Sequence, residues 1–247
     1  MSNERKMIYL CLAHMSDEGL EQKYIKEAFD TNWVVPLGPN VNAFEDDLKQ
    51  FVGKDQQGQE KEVVALAAGT AAVHLALIAC GVKAGDEVCV QSFTFCASSH
   101  PITYLGATPV FIDSEPDTWN MDPDLLDKAI LDRIEKTGKK PKAIIPVALY
   151  GMPYDCERIM AVAEKYDIPV IEDAAEGFGS KFKGQVLGTF GKFGVLSFNG
   201  NKMITTSGGG ALVCENAELK NKVMWYATQA REAYPYYQHE EVGYNYR

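Results

Sequence analysis

One lysine stands just past an apolar run, among small polar residues: Gly194-Val195-Leu196-Ser197-Phe198-Asn199-Gly200-Asn201-Lys202, followed by Thr205-Thr206-Ser207-Gly208-Gly209-Gly210. An amine that a strand delivers into such a pocket loses part of its solvation and becomes a nucleophile. A pyridoxal phosphate (PLP) enzyme uses such a lysine to hold its cofactor as a Schiff base. Taken alone, Lys202 is explained more simply as a solvated lysine in a turn. Other positions along the chain change that balance.

Ala68-Gly69-Thr70-Ala71-Ala72 joins a strand pattern to a helix pattern. Gly69 permits close backbone approach, free amides at a helix start attract an anion, and the Thr70 hydroxyl adds a donor. The structural alternative is a plain turn with a threonine cap. Ile171-Glu172-Asp173-Ala174-Ala175-Glu176 ends a buried strand with acids, where functional groups converge at the carboxyl edge of a parallel sheet. Asp173 there can pair with a pyridinium nitrogen and keep it protonated, against the alternatives of a helix cap or a salt bridge to a nearby lysine. Phe95 follows another strand and either stacks on a flat cofactor or packs in the core. Ser197, five residues before Lys202, can donate to a phosphate oxygen. None of these decides the matter singly; their order along the chain does.

The elements that must position these residues are legible from residue 62 onward. Short β-branched runs at Glu62–Ala67, Glu87–Gln91, Thr108–Asp113, Lys142–Val147 and Pro169–Asp173 alternate with helical patterns at Thr70–Cys80, Thr94–Leu105, Asp122–Glu135 and Asp155–Tyr166. That rhythm predicts an α/β fold with a mostly parallel central sheet. Ala143-Ile144-Ile145-Pro146-Val147 is almost continuously apolar, as a strand covered on both faces should be. After Asp173 the strands Val195–Phe198 and Gly210–Cys214 are predicted as hairpin-like additions, and a last helix spans Ala217 to Gln229. Residues 1–60 differ: helices at Asp17–Phe29 and Val41–Phe51 flank a turn-rich Trp33–Pro39, and a polar loop runs from Lys54 to Glu60.

Composition narrows the function classes. The 247 residues are 46% hydrophobic and 23% charged, as in a folded soluble protein. The formal net charge of -10 argues against nucleic acid but leaves room for an anionic small molecule. Cys11, Cys80, Cys89, Cys96, Cys156 and Cys214 lack C-x-x-C spacing, so neither a disulfide framework nor a zinc site is expected. No signal peptide is evident, and Ala65 to Val82 is expected to be a buried helix rather than a membrane span, so the expected location is cytoplasmic. No G-x-G-x-x-G follows the first strand, which weakens a dehydrogenase reading.

From Trp33 to Arg247 the chain resembles the DegT/DnrJ/EryC1/StrS family of sugar aminotransferases. The motifs that carry the resemblance are Leu37-Gly38-Pro39-Asn40-Val41 with Phe44-Glu45, Gly69–Leu77, Gly85-Asp86-Glu87-Val88 with Ser92–Phe95, Glu172–Glu176, Ser197–Lys202 and Gly243-Tyr244-Asn245-Tyr246-Arg247. The resemblance implies the fold-type I PLP-dependent transferase architecture (aspartate aminotransferase-like), with helices on both faces of the sheet. It implies that Lys202 holds PLP and moves the proton, that Asp173 faces the ring nitrogen and that Phe95 stacks on the ring. Thr70, Ala71 and Ser197, with Gly69 beside them, hold the phosphate. Glu176 takes the place beside the ring hydroxyl where many relatives carry Gln or His, and a carboxylate there is repelled unless a proton is shared.

Asn245 matches a residue that reaches the cofactor of a neighbouring subunit, which implies a homodimer with shared sites. Lysine rather than histidine at position 202 implies transamination rather than sugar dehydration. The Ser207-Gly208-Gly209-Gly210 tract and Asn199-Gly200-Asn201 resemble the branch that moves an amino group from L-glutamate to a UDP-linked 4-keto-6-deoxy-N-acetylhexosamine. No metal, nucleic acid or membrane partner is implied. Family members are longer, so residues 1–60 are expected to form an arm and dimer-contact segment, residues 61–247 the PLP-binding large domain, with the small C-terminal domain absent. The alternatives are a non-catalytic or truncated member serving as a binding or regulatory subunit, and an aminotransferase for a different keto sugar nucleotide.

Overall fold

The computed structural model describes Met7 and residues 14–247; Met1–Lys6 and Cys11, considered above for targeting and redox state, lie outside the described residues. Among the described residues, seven strands build the main sheet: β1 (Glu62–Leu66), β2 (Glu87–Gln91), β3 (Thr108–Ile112), β4 (Ala143–Ile145), β5 (Ile171–Asp173), β8 (Phe193–Ser197) and β9 (Gly210–Cys214). A separate small hairpin contains β6 (Lys181–Phe182) and β7 (Gln185–Val186). Parallel bridges Ile144↔Val170 and Val147↔Asp173 join β4 to β5, so the strand order across the sheet is β3-β2-β4-β5-β8-β9-β1. Only β9 runs against its neighbours.

Two cores flank this sheet. On one face lie α3 (Gly69–Ala79), α4 (His100–Tyr104) and α7 (Ala217–Ala227). On the other lie α2 (Pro39–Val52), α5 (Pro123–Thr137) and α6 (Cys156–Tyr166). Successive side chains of a strand point to opposite faces, so Ile144 enters the second core while Ala143 and Ile145 enter the first. That is why β4 is apolar without alternation. The expected α/β architecture, mostly parallel and covered on both faces, is what forms.

Local chemistry sets the helix ends. Asp122 caps α5 by accepting from the amides of Asp124 (2.7 Å) and Leu125 (3.2 Å), with Pro123 in the first turn. α3 is buried along almost its whole length and spans Gly69–Ala79, so the apolar run there is a core helix. No helix among the described residues is long and apolar enough to cross a membrane. α1 (Leu20–Asp30) has no buried residue.

Two expectations are corrected. The single helix expected over Thr94–Leu105 is instead a short 3-10 turn at Cys96–Ser98 followed by α4. Pro101 sits in the first turn of α4, and proline disfavours helical backbone before it and removes a donor. The strands Val195–Phe198 and Gly210–Cys214 do pair antiparallel, yet they are interior strands rather than additions: β9 is threaded between β8 and β1. Gly210 makes that insertion possible. A Cβ there would lie 2.4 Å from the carbonyl carbon of Ala68 and 2.5 Å from the amide nitrogen of Gly69.

Candidate active site

The carboxyl ends of the parallel strands and the loops beyond them surround a cavity of about 540 Å³. Gly69 and Thr70 reach it from the start of α3, Phe95 from the loop after β2, and Asp173 and Glu176 from the end of β5. Ser197 and Lys202 complete it from the end of β8. Seven of the nine residues singled out in the sequence therefore line one space, although Gly69 and Lys202 are 133 positions apart in the chain.

Asp173 is 6% exposed. Its Oδ2 accepts from Ser98 Oγ at 2.6 Å and its Oδ1 from the Ala175 amide at 3.1 Å. Burial pushes its carboxyl above the ordinary aspartate range; the two hydrogen bonds and the charge of Lys202 pull the other way, while Glu176 adds to the rise. A cation arriving opposite this carboxylate would favour its ionised form.

Lys202 follows a turn closed by its own amide, which donates to Asn199 O at 2.9 Å. Its side chain is 15% exposed, and its Nζ stands 3.4 Å from Glu176 Oε1. The other oxygen of Glu176 accepts from the Tyr150 amide at 2.7 Å. Tyr150 has φ 52° and ψ 25°, a left-handed conformation that is uncommon for a residue bearing a Cβ. One carboxylate thus holds both the lysine and a strained turn at the cavity's edge, where the Tyr150 ring is exposed.

The opposite wall suits an anion. No side chain caps α3, whose first residues Gly69 and Thr70 line the cavity, so the orphan amides of that helix start favour an anion there. Ser197, nearly buried, lies beside them: a Cβ on Gly69 would sit 3.0 Å from Ser197 Cβ and 3.2 Å from its Oγ. The missing side chain is what lets the hydroxyl and the helix start share one cradle.

Phe95 is 74% exposed at the cavity mouth, so its ring is free of the core. Ala71 is buried in the first turn of α3, and its side chain does not line the cavity. Asn245 lies away from it, with its Oδ1 accepting from Gln229 Nε2 at 3.2 Å and its backbone bridged to Thr228.

Sequence reasoning missed three contributors. Ser98 was hidden inside an expected helix; Pro101 was the available signal that the helix breaks. Tyr150 follows β4 at the same edge of the sheet as Asp173, so position alone could have found it. Buried Gln91 donates to Phe93 O at 2.9 Å and accepts from the amides of Met121 (2.8 Å) and Val147 (3.2 Å), tying the Phe95 loop to the end of β4.

Comparison with known proteins adds the wider context. The model of the DegT/DnrJ/EryC1/StrS aminotransferase family matches residues 16–247. The "Putative pyridoxal phosphate-dependent aminotransferase EpsN" of Bacillus subtilis (strain 168) is 52% identical over 98% of this chain and 60% of its own length. The GDP-perosamine synthase of Escherichia coli O157:H7 is 39% identical over 98% of this chain and 63% of its own. The solved structure of NtdA from Bacillus subtilis with bound cofactor PMP superposes with a TM-score of 0.81 at 29% identity, covering 94% of this chain and 50% of that one. The chain spans about 60% of the length of the curated relatives it matches.

Proposed function

The chain belongs to the DegT/DnrJ/EryC1/StrS aminotransferase family, and on that premise we propose that it is the cofactor-holding portion of a PLP-dependent aminotransferase acting on a keto sugar carried by a nucleotide. The observation that carries the reading is the convergence of a buried acid, Asp173, a shielded amine, Lys202, and an uncapped helix start beside Ser197 on one cavity. The donor set fits PLP: a phosphate matches the α3 amides and the Ser197 hydroxyl, and a protonated ring nitrogen matches Asp173.

When bound, PLP supplies an electron sink for negative charge developing at an amino acid's α-carbon. The chain's own groups do the rest. Asp173 stabilises positive charge at the ring nitrogen and so keeps that sink effective. The Lys202 amine would anchor the cofactor and carry the proton between the amino acid's α-carbon and the cofactor. Glu176 holds the Lys202 nitrogen on one side and the Tyr150 turn on the other. Gly69, Thr70, the Ala71 amide and Ser197 would fix the phosphate end, and Phe95 would stack on the ring. Asn245, engaged outside this cavity, would serve the cavity of a second copy in a homodimer.

L-glutamate is the proposed donor and a UDP-linked 4-keto-6-deoxy-N-acetylhexosamine the proposed acceptor, with a cytoplasmic location as part of the same proposal. The Asn199-Gly200-Asn201 and Ser207–Gly210 tracts support the UDP branch, whereas a relative at 39% identity is named for a GDP sugar. Residues 61–247 would form the large domain, behind an arm of residues 1–60. The test starts with absorbance: PLP should give the purified chain a visible band that Lys202→Ala lacks, and a band of equal strength in the variant would remove Lys202 from this role. L-glutamate should then convert the bound PLP to its amino form. A band that persists unchanged would favour a binding or regulatory member of the family. UDP- and GDP-linked keto sugars, compared as acceptors, decide the branch.

A further inference from the structure

Thr94, Ser98 and Asp173 form a row of hydrogen-bonded side chains along the cavity wall. Ser98 is buried, with its Oγ 2.6 Å from Asp173 Oδ2 and 2.9 Å from Thr94 Oγ1; Thr94 is half-exposed and lines the cavity. A hydroxyl carries one proton, and an ionised carboxylate only accepts. Ser98 must therefore give its proton to Asp173, which leaves its oxygen to accept the proton of Thr94. The polarity of the whole row is fixed by the charge of Asp173.

We propose that Ser98, oriented by Thr94, is a positioning residue that keeps Asp173 ionised and fixed in rotation, with its remaining acceptor capacity turned to the cofactor's ring nitrogen. This rests on the PLP reading above. The break between the 3-10 turn and α4 is what allows it, because it frees Cys96–Ser98 from the helix and sets Ser98 against β5. The Ser98 and Ala175 donors favour the ionised form, and so does Lys202 from the loop after β8. Burial and Glu176, from the loop after β5, oppose it. Without Ser98 the balance tips toward a neutral acid, which has little reason to face a pyridinium.

The experiment is a PLP dissociation constant for the purified chain, measured at a series of pH values from acid to neutral. In the wild type, affinity should fall on the acid side as Asp173 takes up a proton. Ser98→Ala should move the midpoint of that fall upward by about one pH unit, the scale of one charge-assisted hydrogen bond. Thr94→Val, at a half-exposed position, should move it in the same direction by less. A folded Ser98→Ala chain with the wild-type midpoint would overturn the inference and leave the cofactor reading intact, since simple packing does not move a titration. If Ser98→Ala does not fold, Thr94→Val decides, and an unmoved midpoint there overturns the inference equally. A wild-type chain that binds no PLP at any pH overturns the cofactor reading and this inference with it.

Discussion

Glu172 and Asp173 are neighbours on β5, both are buried, and burial pushes both carboxyls above their ordinary range. Alternation along the strand turns them opposite ways. Glu172 accepts from the amides of Gly188 (3.0 Å), Phe190 (2.6 Å) and Gly191 (2.7 Å), so backbone donors close around it. Asp173 has one hydroxyl and one amide, and it faces the cavity. Residue type and burial are alike in the two acids. What separates the enclosed carboxylate from the one open to the cavity is how far the protein itself has satisfied it.

Three perturbations test that contrast, in decreasing order of effect. Removing the charge that faces the cavity should cost most in chemistry. Asp173→Ala is expected to slow the L-glutamate half-reaction by about 10²- to 10³-fold, the scale of losing one preorganised electrostatic partner. Single-turnover absorbance would measure it, and a rate close to wild type would place Asp173 with Glu172 as a structural acid.

The closed side should be the less tolerant of added volume. Gly194 lies opposite Glu172 in the β5–β8 register, and a Cβ there would fall 2.0 Å from Gly188 O, so backbone must move. Gly194→Ala is expected to lower unfolding stability by about 3 kcal/mol in urea titrations, at the upper end for overpacking. Gly69→Ala is crowded by the Ser197 side chain, at 3.0 Å, and meets backbone only at an ordinary 3.6 Å from Leu196 O, so it should lose less stability while weakening PLP binding. Equal losses at the two glycines would erase the distinction between a closed and an open side.

The gentlest change replaces the enclosed carboxylate by its amide. Glu172→Gln keeps the volume but turns a donor toward backbone donors, at an expected cost of about 1–3 kcal/mol, with no change in PLP affinity. It should also alter the pH profile. A carboxyl whose folded pKa is raised holds its proton longer in the folded state, so stability is full below the unfolded value and falls as pH rises through the folded one. Without cofactor, the wild type should therefore lose stability over that window. Glu172→Gln and Asp173→Asn should each remove one share of the loss, and bound PLP should cancel only the share of Asp173. Denaturant titrations across pH, with and without PLP, would read this out.

Much of this arrangement was written in local pattern. The alternation of β-branched runs with helical periodicity gave the parallel sheet, and Gly69, Asp173, Ser197 and Lys202 could be picked out because ligand groups gather where strands end. Ser98 and Tyr150 were legible only indirectly, from Pro101 and from the position just after β4. One needs a helix break that depends on Pro101, the other a left-handed turn held by Glu176, and neither leaves a periodic trace.

The sequence by itself determined the succession of strands and helices and that Asp173 and Ser197 fall at strand ends, because period and composition are properties of neighbours in the chain. Tertiary structure decided the rest. It threaded β9 inside the sheet, against the glycine that admits it, and it chose which of two adjacent acids would face the cavity. Those outcomes depend on what residues far along the chain bring into contact: three backbone amides around Glu172, and a serine hydroxyl from the turn after β2 on Asp173.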